Sequence, residues 1–197
     1  MIRAASLLLA ASMLSGCISL LPEPPPPPRT YVLEARSVEP LQGAPIDAVI
    51  AIAQPTGERT ILGFDLIWRT GDTIAYVDQS QWSSRAADAL QQVLAETIIN
   101  QGRFRASTRS GEARADYEIR WEVLDFEVRE EDMTARFRAD VRLVAPGRRI
   151  VASRIIDTSA PVSARSSSVA AEALARAARG GRARIGGFAA EAAFAAQ

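Results

Sequence analysis

TARFRADVRLVA, residues 134–145, alternates apolar and charged side chains along most of its length. An alternation with a period of two is typical of a β-strand that has one buried side and one solvent-facing side. The predicted inward side chains are Ala135, Phe137, Ala139, Val141 and Leu143. The predicted outward side chains are Arg136, Arg138, Asp140 and Arg142. This pattern favours an antiparallel sheet with one covered face.

The preceding segment, residues 117–128, also alternates, but its phase changes part-way. Tyr117, Ile119, Trp121 and Val123 share one parity, whereas Leu124, Phe126 and Val128 share the other. This change predicts either a β-bulge near Val123 and Leu124 or a strand whose far end is covered on both faces. Turn residues at 130–132 and 146–147 and a third strand at 149–158 complete a predicted antiparallel meander.

Five shorter strands are predicted before the meander, at residues 30–34, 48–53, 64–69, 73–78 and 104–108. The segment 48–53 is almost continuously apolar, which indicates burial on both faces. The segments on either side of Gly71-Asp72 are predicted to form a β-hairpin.

The strongest helical pattern follows Trp82. Ser83 and Ser84 are predicted to supply a capping hydroxyl, and Gly102 lies where a glycine commonly follows the last helical turn. The apolar stripe between these ends has a helical period and consists of Ala86, Leu90, Val93, Leu94, Thr97 and Ile98.

The alanine-rich segment 166–197 predicts a second helix, a C-terminal tail capped by Ser167-Ser168. Its weak apolar face consists of Val169, Ala173, Leu174, Ala177 and Ala178. Because glycine is unfavourable inside helices, Gly180-Gly181 and Gly186-Gly187 are expected to interrupt this helix after Arg179.

All 23 basic side chains are arginines, and the chain contains neither lysine nor histidine. The 23 acidic side chains balance them, so no basic excess supports nucleic-acid binding. The lack of histidine excludes Ser-His-Asp and Cys-His catalysis and histidine metal sites. The lack of lysine excludes Schiff-base chemistry. We therefore predict that the protein is not an enzyme and has no catalytic residue, metal or cofactor-binding site.

The first 16 residues have the order of a bacterial secretory signal, with a basic start, an apolar run over residues 4–13 and small residues before the cut. The sequence Leu14-Ser15-Gly16-Cys17 resembles the lipobox of bacterial lipoprotein precursors. The resemblance implies that Leu14, Ser15 and Gly16 are recognised by the signal peptidase. It also implies that Cys17 becomes the mature N-terminus and carries a diacylglyceryl group and an N-acyl chain such as palmitate.

Cys17 is the only cysteine of the chain, so no intramolecular disulfide is possible. Two or more acyl chains hold a protein stably on a membrane, which predicts a lipid-anchored protein. The alternative is an ordinary signal peptide with a cysteine placed there by chance.

Residues 17–29 are predicted to form a tether between the acylated N-terminus and the folded part. Five consecutive prolines, Pro24–Pro28, favour a polyproline II conformation. At about 3.1 Å per residue, the tether would reach about 40 Å from Cys17 to Thr30. Residue 18 is Ile rather than the Asp that retains enterobacterial lipoproteins in the inner membrane, and this resemblance implies export to the outer membrane.

Three groups of side chains are candidates for chemical sites. The acidic cluster Glu127, Glu130, Glu131 and Asp132 lacks the spacing of a calcium loop and is interpreted as a solvated hairpin turn. The row Arg136, Arg138 and Arg142 could bind lipid phosphates, but is interpreted as the wet face of a strand paired with acidic side chains. Ser166–Ser168 lack any partner base, so a serine nucleophile is not predicted.

Three blocks in order resemble the ABC-type transport auxiliary lipoproteins, the PqiC-like family. They are the lipobox with its proline-containing linker, the segment Arg29-Thr30-Tyr31-Val32-Leu33-Glu34, and the stretch from Ile74 through Tyr76 and Trp82 into the helix that ends at Ile98-Ile99. The chain departs from the family pattern in its long proline run and in its glycine-containing tail.

The family resemblance implies an α/β (α+β) fold, a TolB-N-terminal-like mixed sheet with two main helices on one face. It places a signal peptide at 1–16, the tether at 17–29 and a single auxiliary domain at 30–197. It also implies docking, at the periplasmic face of the outer membrane, on the MCE-domain protein of a lipid-transporting ABC system with its permease and ATPase. A homo-oligomer is possible. The alternative is a structural lipoprotein that helps to assemble an outer-membrane or secretion complex.

Overall fold

The structure, a computed structural model, describes residues 26–36 and 38–197. The strands are β1 (Arg29–Tyr31), β2 (Ile46–Ile52), β3 (Thr56–Gly57), β4 (Asp65–Thr70), β5 (Thr73–Trp82), β6 (Phe104–Arg109), β7 (Tyr117–Arg129), β8 (Thr134–Ala145) and β9 (Arg149–Pro161). The helices are α1 (Ala86–Asn100) and α2 (Ser167–Ala195), with a short 3-10 turn at Pro146–Arg148. The predicted signal peptide and the first part of the tether lie outside the described residues.

Strand β7 organises a single mixed sheet. One of its edges pairs with β8 along almost its whole length, and β8 pairs with β9, so the predicted antiparallel meander is confirmed. The other edge of β7 pairs in parallel with three strands in succession, which are β2, β3 and β4. The sheet therefore forks on this side, with β6 beyond β2 on one branch and β5 and β1 beyond β4 on the other.

The predicted phase change in β7 is a β-bulge. The pairing with β8 shifts between Val123 and Asp125, which leaves Leu124 as the extra residue. Before the bulge Ile119, Trp121 and Val123 face the core, and after it Phe126 and Val128 do so. Side chains on both faces of the strand are buried beyond the bulge, so both readings of the sequence pattern are correct.

Both helices lie on one face of the sheet and bury a core that contains an aromatic cluster. Trp82 stacks on Phe126 with ring centroids 5.7 Å apart, and Phe126 meets Phe137 edge to face at 6.2 Å. All five side chains predicted to point inward from β8 are fully buried. The predicted mixed α/β architecture with two helices is confirmed.

The sequence predicts that a serine hydroxyl caps helix α1, and this prediction is wrong. The helix begins at Ala86, and no side chain caps its first turn. Instead, the backbone N–H groups of Ala86 and Ala87 donate to the carbonyls of Gly63 and Leu62, at 2.7 and 3.3 Å. The loop before β4 therefore accepts hydrogen bonds from N–H groups at the start of the helix, which have no partner within the helix. No local sequence pattern indicates this tertiary contact. The predicted apolar stripe of α1 is buried as expected.

Helix α2 runs without a break through both glycine pairs, so the predicted interruption is wrong. It covers 29 residues and is capped by Ser166, whose hydroxyl accepts from the backbone N–H of Val169 at 3.4 Å. A Cβ at Gly181 would overlap the ring of Phe137, and one at Gly186 would overlap the side-chain amide of Gln101. These glycines let α2 approach β8 and α1 closely, and that packing offsets their low helix propensity.

Among the described residues, no helix combines the length and apolar character needed to cross a bilayer. Helix α2 is long enough in residues, but it carries four arginines and two glutamates, among them Arg182 and Glu191.

We predict opposite effects for alanine at two neighbouring glycines. Gly181→Ala should destabilise the protein by about 1–3 kcal/mol, because the new methyl group displaces the buried Phe137 ring. Gly180→Ala should be neutral or stabilise by up to about 1 kcal/mol, because alanine favours the helix and its Cβ would lie 3.5 Å from Thr158, an ordinary contact. Urea unfolding of both variants measures the difference. Equal stabilities would contradict close helix–sheet packing at Gly181.

Candidate functional site

The residues predicted to carry the lipid anchor lie outside the described part of the chain. Leu14, Ser15, Gly16 and Cys17 precede residue 26, so signal-peptidase recognition and acylation of Cys17 stay predictions. The surfaces available for function in the described structure are those of the sheet and of the grooves around α2.

The face of the sheet opposite the helices carries a dense network of charges. Its members come from β4, β7, β8 and β9 and are Arg69, Asp125, Glu127, Arg129, Arg136, Arg138 and Asp157. Arg138 lies 2.6 Å from Asp125, and Arg136 pairs with Asp157. The predicted arginine row is therefore paired with acidic side chains, as expected, but Arg136 and Arg138 are only partly exposed.

The prediction that Glu127 belongs to a solvated turn is wrong, because Glu127 lies within β7. Its side chain has no exposed surface, and its carboxylate lies 2.7 Å from Arg69 Nε and 3.5 Å from Arg129 Nε. The bulge at Leu124 places Glu127 beside β4, where the arginine side chains cover it. Removing one partner of a buried ion pair leaves an uncompensated charge, so this pair holds the β4 branch against β7. Glu130, Glu131 and Asp132 do form the predicted turn.

Arg136 and Asp157 join β8 and β9, the last two strands of the meander. A hydrogen bond from Arg136 holds the pKa of Asp157 below its usual value of 3.8. A carboxyl with a lowered pKa in the folded state adds stability above its unfolded pKa and loses it as the pH falls through the folded one. Because Asp157 is 42% exposed, the pair is screened by solvent and contributes at most about 1 kcal/mol.

We predict that Asp157→Asn lowers the free energy of unfolding by about 0.5–1 kcal/mol at pH 7. The deficit relative to the wild-type chain should shrink as the pH falls from 3.8 through the lower pKa of Asp157 in the folded state, below which Asp157 is protonated in both states. Chemical unfolding at pH 7, 5 and 3 measures it. In an Arg136→Ala background, Asp157→Asn should change the free energy of unfolding by the same amount at every pH. If the effect of Asp157→Asn does not depend on pH in the wild-type chain either, the pairing of Asp157 with Arg136 does not contribute to stability.

Further along β7 and β8 the charges are arranged differently. Arg120 lies directly opposite Arg142, and Glu122 directly opposite Asp140. Like charges in directly opposed positions destabilise a sheet. The available ion pairs run along each strand instead, from Arg120 to Glu118 at 2.6 Å and from Arg142 to Asp140 at 2.5 Å. We call these five side chains the charged cleft.

The charged cleft is concave and partly preorganised. A cavity of about 320 Å³ lies over it, bounded on its other side by Ala53, Gln54 and Thr56. Burial raises the pKa of Glu118, but hydrogen bonds from Ser110 and Arg120 outweigh this effect, so the pKa lies below its usual value. Glu118 is thus ionised at neutral pH. The cleft presents a row of two cations beside a row of two carboxylates, a pattern suited to a partner with complementary charges.

Arg182 is a buried cation that the sequence did not single out. Its side chain lies in α2, its residue is 2% exposed, and its guanidinium donates to the backbone carbonyl of Glu34 at 3.4 Å. Burial, followed by the positive charge of Arg179, lowers the pKa of Arg182 to about 10. It remains protonated at neutral pH and links α2 to the segment that follows β1.

The described residues contain no cluster of three or more metal-ligating side chains. Ser166 and Ser167 act within the fold, since Ser166 caps α2 and Ser167 hydrogen-bonds the hydroxyl of Tyr31 at 2.9 Å. Trp82 and Trp121 are core residues, whereas Trp68 is partly exposed.

Residues 31–185 match the family described as ABC-type transport auxiliary lipoprotein component. The chain belongs to this family. Membership makes it a transport-associated lipoprotein of the cell envelope and confirms the resemblance seen in the sequence. The family is an auxiliary component of transport and not a family of enzymes. Among curated proteins, none is significantly similar to it in sequence.

Solved structures of low sequence identity share the fold. A protein of the DUF330 family from Xanthomonas campestris is 21% identical, with a TM-score of 0.78 over 85% of this chain and 98% of that one. An uncharacterized protein is 13% identical, with a TM-score of 0.67 over 83% and 99%. A hypothetical protein from Chlamydia trachomatis is 9% identical, with a TM-score of 0.52 over 76% and 99%.

Proposed function

We propose that this protein is a lipoprotein of the outer membrane that faces the periplasm and docks on the MCE-domain protein of an ABC transport system. Through that protein it would act with the permease and the ATPase in lipid transport between the membranes. The observation that carries the proposal is the family match over residues 31–185, which assigns an auxiliary role in ABC-type transport.

An acyl anchor on Cys17 is the second part of the proposal. The anchor would hold the protein on the membrane, and the proline-rich tether would connect it to the folded part at Arg29. The role is positional, because the chain has no lysine or histidine for the common forms of covalent or acid–base catalysis.

The charged cleft is the surface that we assign to the MCE-domain partner. It lies on the sheet face that the helices leave uncovered, and its directly opposed like charges contribute little to the stability of the isolated chain. Binding a surface with complementary rows of charge would relieve this repulsion. Arginine suits such a role, since its planar guanidinium binds carboxylates with two hydrogen bonds.

Replacing both arginines of the cleft tests this surface. Arg120→Ala with Arg142→Ala should reduce co-purification with the MCE-domain protein about tenfold, equivalent to about 1.4 kcal/mol of binding free energy. The matched control is Arg154→Ala with Arg176→Ala. These arginines lie away from the cleft and are also ion-paired and partly exposed, at 52% and 39%.

The control pair should leave co-purification unchanged. An equal loss in both double variants would mean that the cleft is not the docking surface. If the unaltered protein captures no MCE-domain protein but does capture components of an outer-membrane assembly, the proposed transport role is wrong and the assembly role is favoured.

Cys17→Ser tests the anchor. We expect the variant to lack lipid and to leave the membrane fraction, because the serine hydroxyl does not replace the thiolate that accepts the diacylglyceryl group. Intact mass spectrometry of the wild-type and variant chains measures the lipid adduct directly. A processed wild-type chain without any adduct would contradict this part of the proposal.

A further inference from the structure

A groove lined by arginines lies between α2 and the segment that follows β1. Its volume is about 380 Å³, which lies within the range of about 300–1,000 Å³ that is typical of small-ligand pockets. Trp82 and Ala171 belong to its apolar lining. Arg36 lines it on the side of β1, and Arg176 and Arg179 line it on the side of α2. Several cations therefore share one small concave surface.

Arg179 is the lining arginine that lacks a counter-ion. Arg36 lies 3.5 Å from Glu34, and Arg176 lies 2.7 Å from Glu172. Within residues 26–36 and 38–197, by contrast, no carboxylate forms an ion pair with Arg179, and its buried Nε has no hydrogen-bond acceptor. Because Nε is enclosed, any donor that Arg179 offers to the groove is one of its two terminal Nη groups.

Arg182 adds a second cation at the inner end of the groove. It follows Arg179 by three residues on α2, and residues three apart are neighbours on the surface of a helix. Its guanidinium donates to the carbonyl of Glu34, a residue of the groove lining. After burial, the charge of Arg179 is the main cause of the lowered pKa of Arg182, and the more distant carboxylate of Glu96 acts in the opposite direction. The two arginines are thus close enough to repel each other.

The charges at the groove do not balance. Four arginines stand against two glutamates, which leaves an excess of two positive charges. Removing an unpaired charge from water is costly, so buried cations normally have a counter-ion. A phosphate monoester carries about −1.5 to −2 charges at neutral pH and has three strong acceptor oxygens. A carboxylate or a phosphodiester carries a single negative charge and would neutralise only half of the excess.

We propose that this groove binds the phosphate group of a phosphate monoester. The Nη groups of Arg179 contact the phosphate directly, Arg36 and Arg176 lie beside it, and Arg182 contributes its charge from behind. The monoester is either a soluble compound or the headgroup of a lipid, since both present the same phosphate. The groove borders α2, whereas the charged cleft lies on the opposite face of the sheet, so this inference is independent of the transport partner.

Phosphorus-31 NMR of inorganic phosphate tests the site. The mature acylated chain is titrated into phosphate at constant ionic strength, in maltoside micelles, whose headgroups contain no phosphate. We expect saturable line broadening. Arg179→Gln should weaken binding at least about tenfold, because it removes a charged hydrogen-bond donor. Arg184→Gln is the matched control, since Arg184 also lies on α2 but outside the groove, where it donates to the carbonyl of Asp157 at 3.0 Å.

The control should bind phosphate within about twofold of the wild-type chain, because salt screens a charge outside the groove. Arg36→Gln, on the other wall, is a second variant that should weaken binding, and its side chain is 66% exposed, so the fold does not depend on it. Far-UV circular dichroism checks that each variant is folded. Lack of saturable binding, or equal weakening in Arg179→Gln and Arg184→Gln, would overturn the proposal.

Competition identifies the source of the phosphate. Displacement by glycerol 3-phosphate supports a soluble monoester, and displacement by phosphatidic acid added to the micelles supports a lipid headgroup. Phosphatidylglycerol, a diester, should displace phosphate at least about tenfold less well, and equal displacement by it would contradict the charge match. If neither monoester displaces the ion, the groove holds an adventitious ion only and the proposal is wrong. None of these measurements involves the MCE-domain protein.

Discussion

The rest of the structure depends on one extra residue in the central strand. Leu124 interrupts the pairing of β7 with β8, and the register of the following residues is shifted by one position. Each side chain beyond the bulge therefore points to the opposite face of the sheet from the one that regular alternation would give it. Without this bulge, Asp125 and Glu127 would face the helices, while Phe126 and Val128 would face solvent. The bulge brings both aromatic and aliphatic groups into the core and moves two carboxylates to the opposite face. Core packing and surface charge are therefore set by the same local irregularity.

The bulge also divides the uncovered face into two regions. Beyond it, Asp125 and Glu127 lie opposite Arg138 and Arg136, so opposite charges meet across the strands. Before it, like charges meet. The short strand β3 pairs with β7 next to the bulge, with Gly57 opposite Val123. Gly57 has a φ of +152°, and a Cβ there would lie 2.5 Å from the carbonyl oxygen of Val123, so only glycine allows this close approach. The region with opposite charges joins the strands, and the region with opposed like charges is the surface that we propose for binding.

Sequence patterns predicted what depends on periodicity. The alternation in β8, the phase change in β7 and the stripe of α1 all follow from which side chains must be buried. The patterns failed where distant contacts decide. The backbone of Gly63 caps α1, Phe137 requires the small Gly181, and Arg69 covers Glu127; each is far away in sequence. The charged cleft was missed for the same reason, since strand register and not composition places its like charges opposite one another.

The segment after the tether is fastened to the domain at several separate points. Tyr31 bonds Ser167 at 2.9 Å, the carbonyl of Glu34 accepts from Arg182, and the N–H of Leu41 donates to Gln101 at 3.0 Å. Strand β1 also runs alongside β5, so a pull on its N-terminal end acts along the strand and loads its hydrogen bonds together. Any mechanical tension that reaches the domain from its N-terminus is thus distributed over both helices and the sheet.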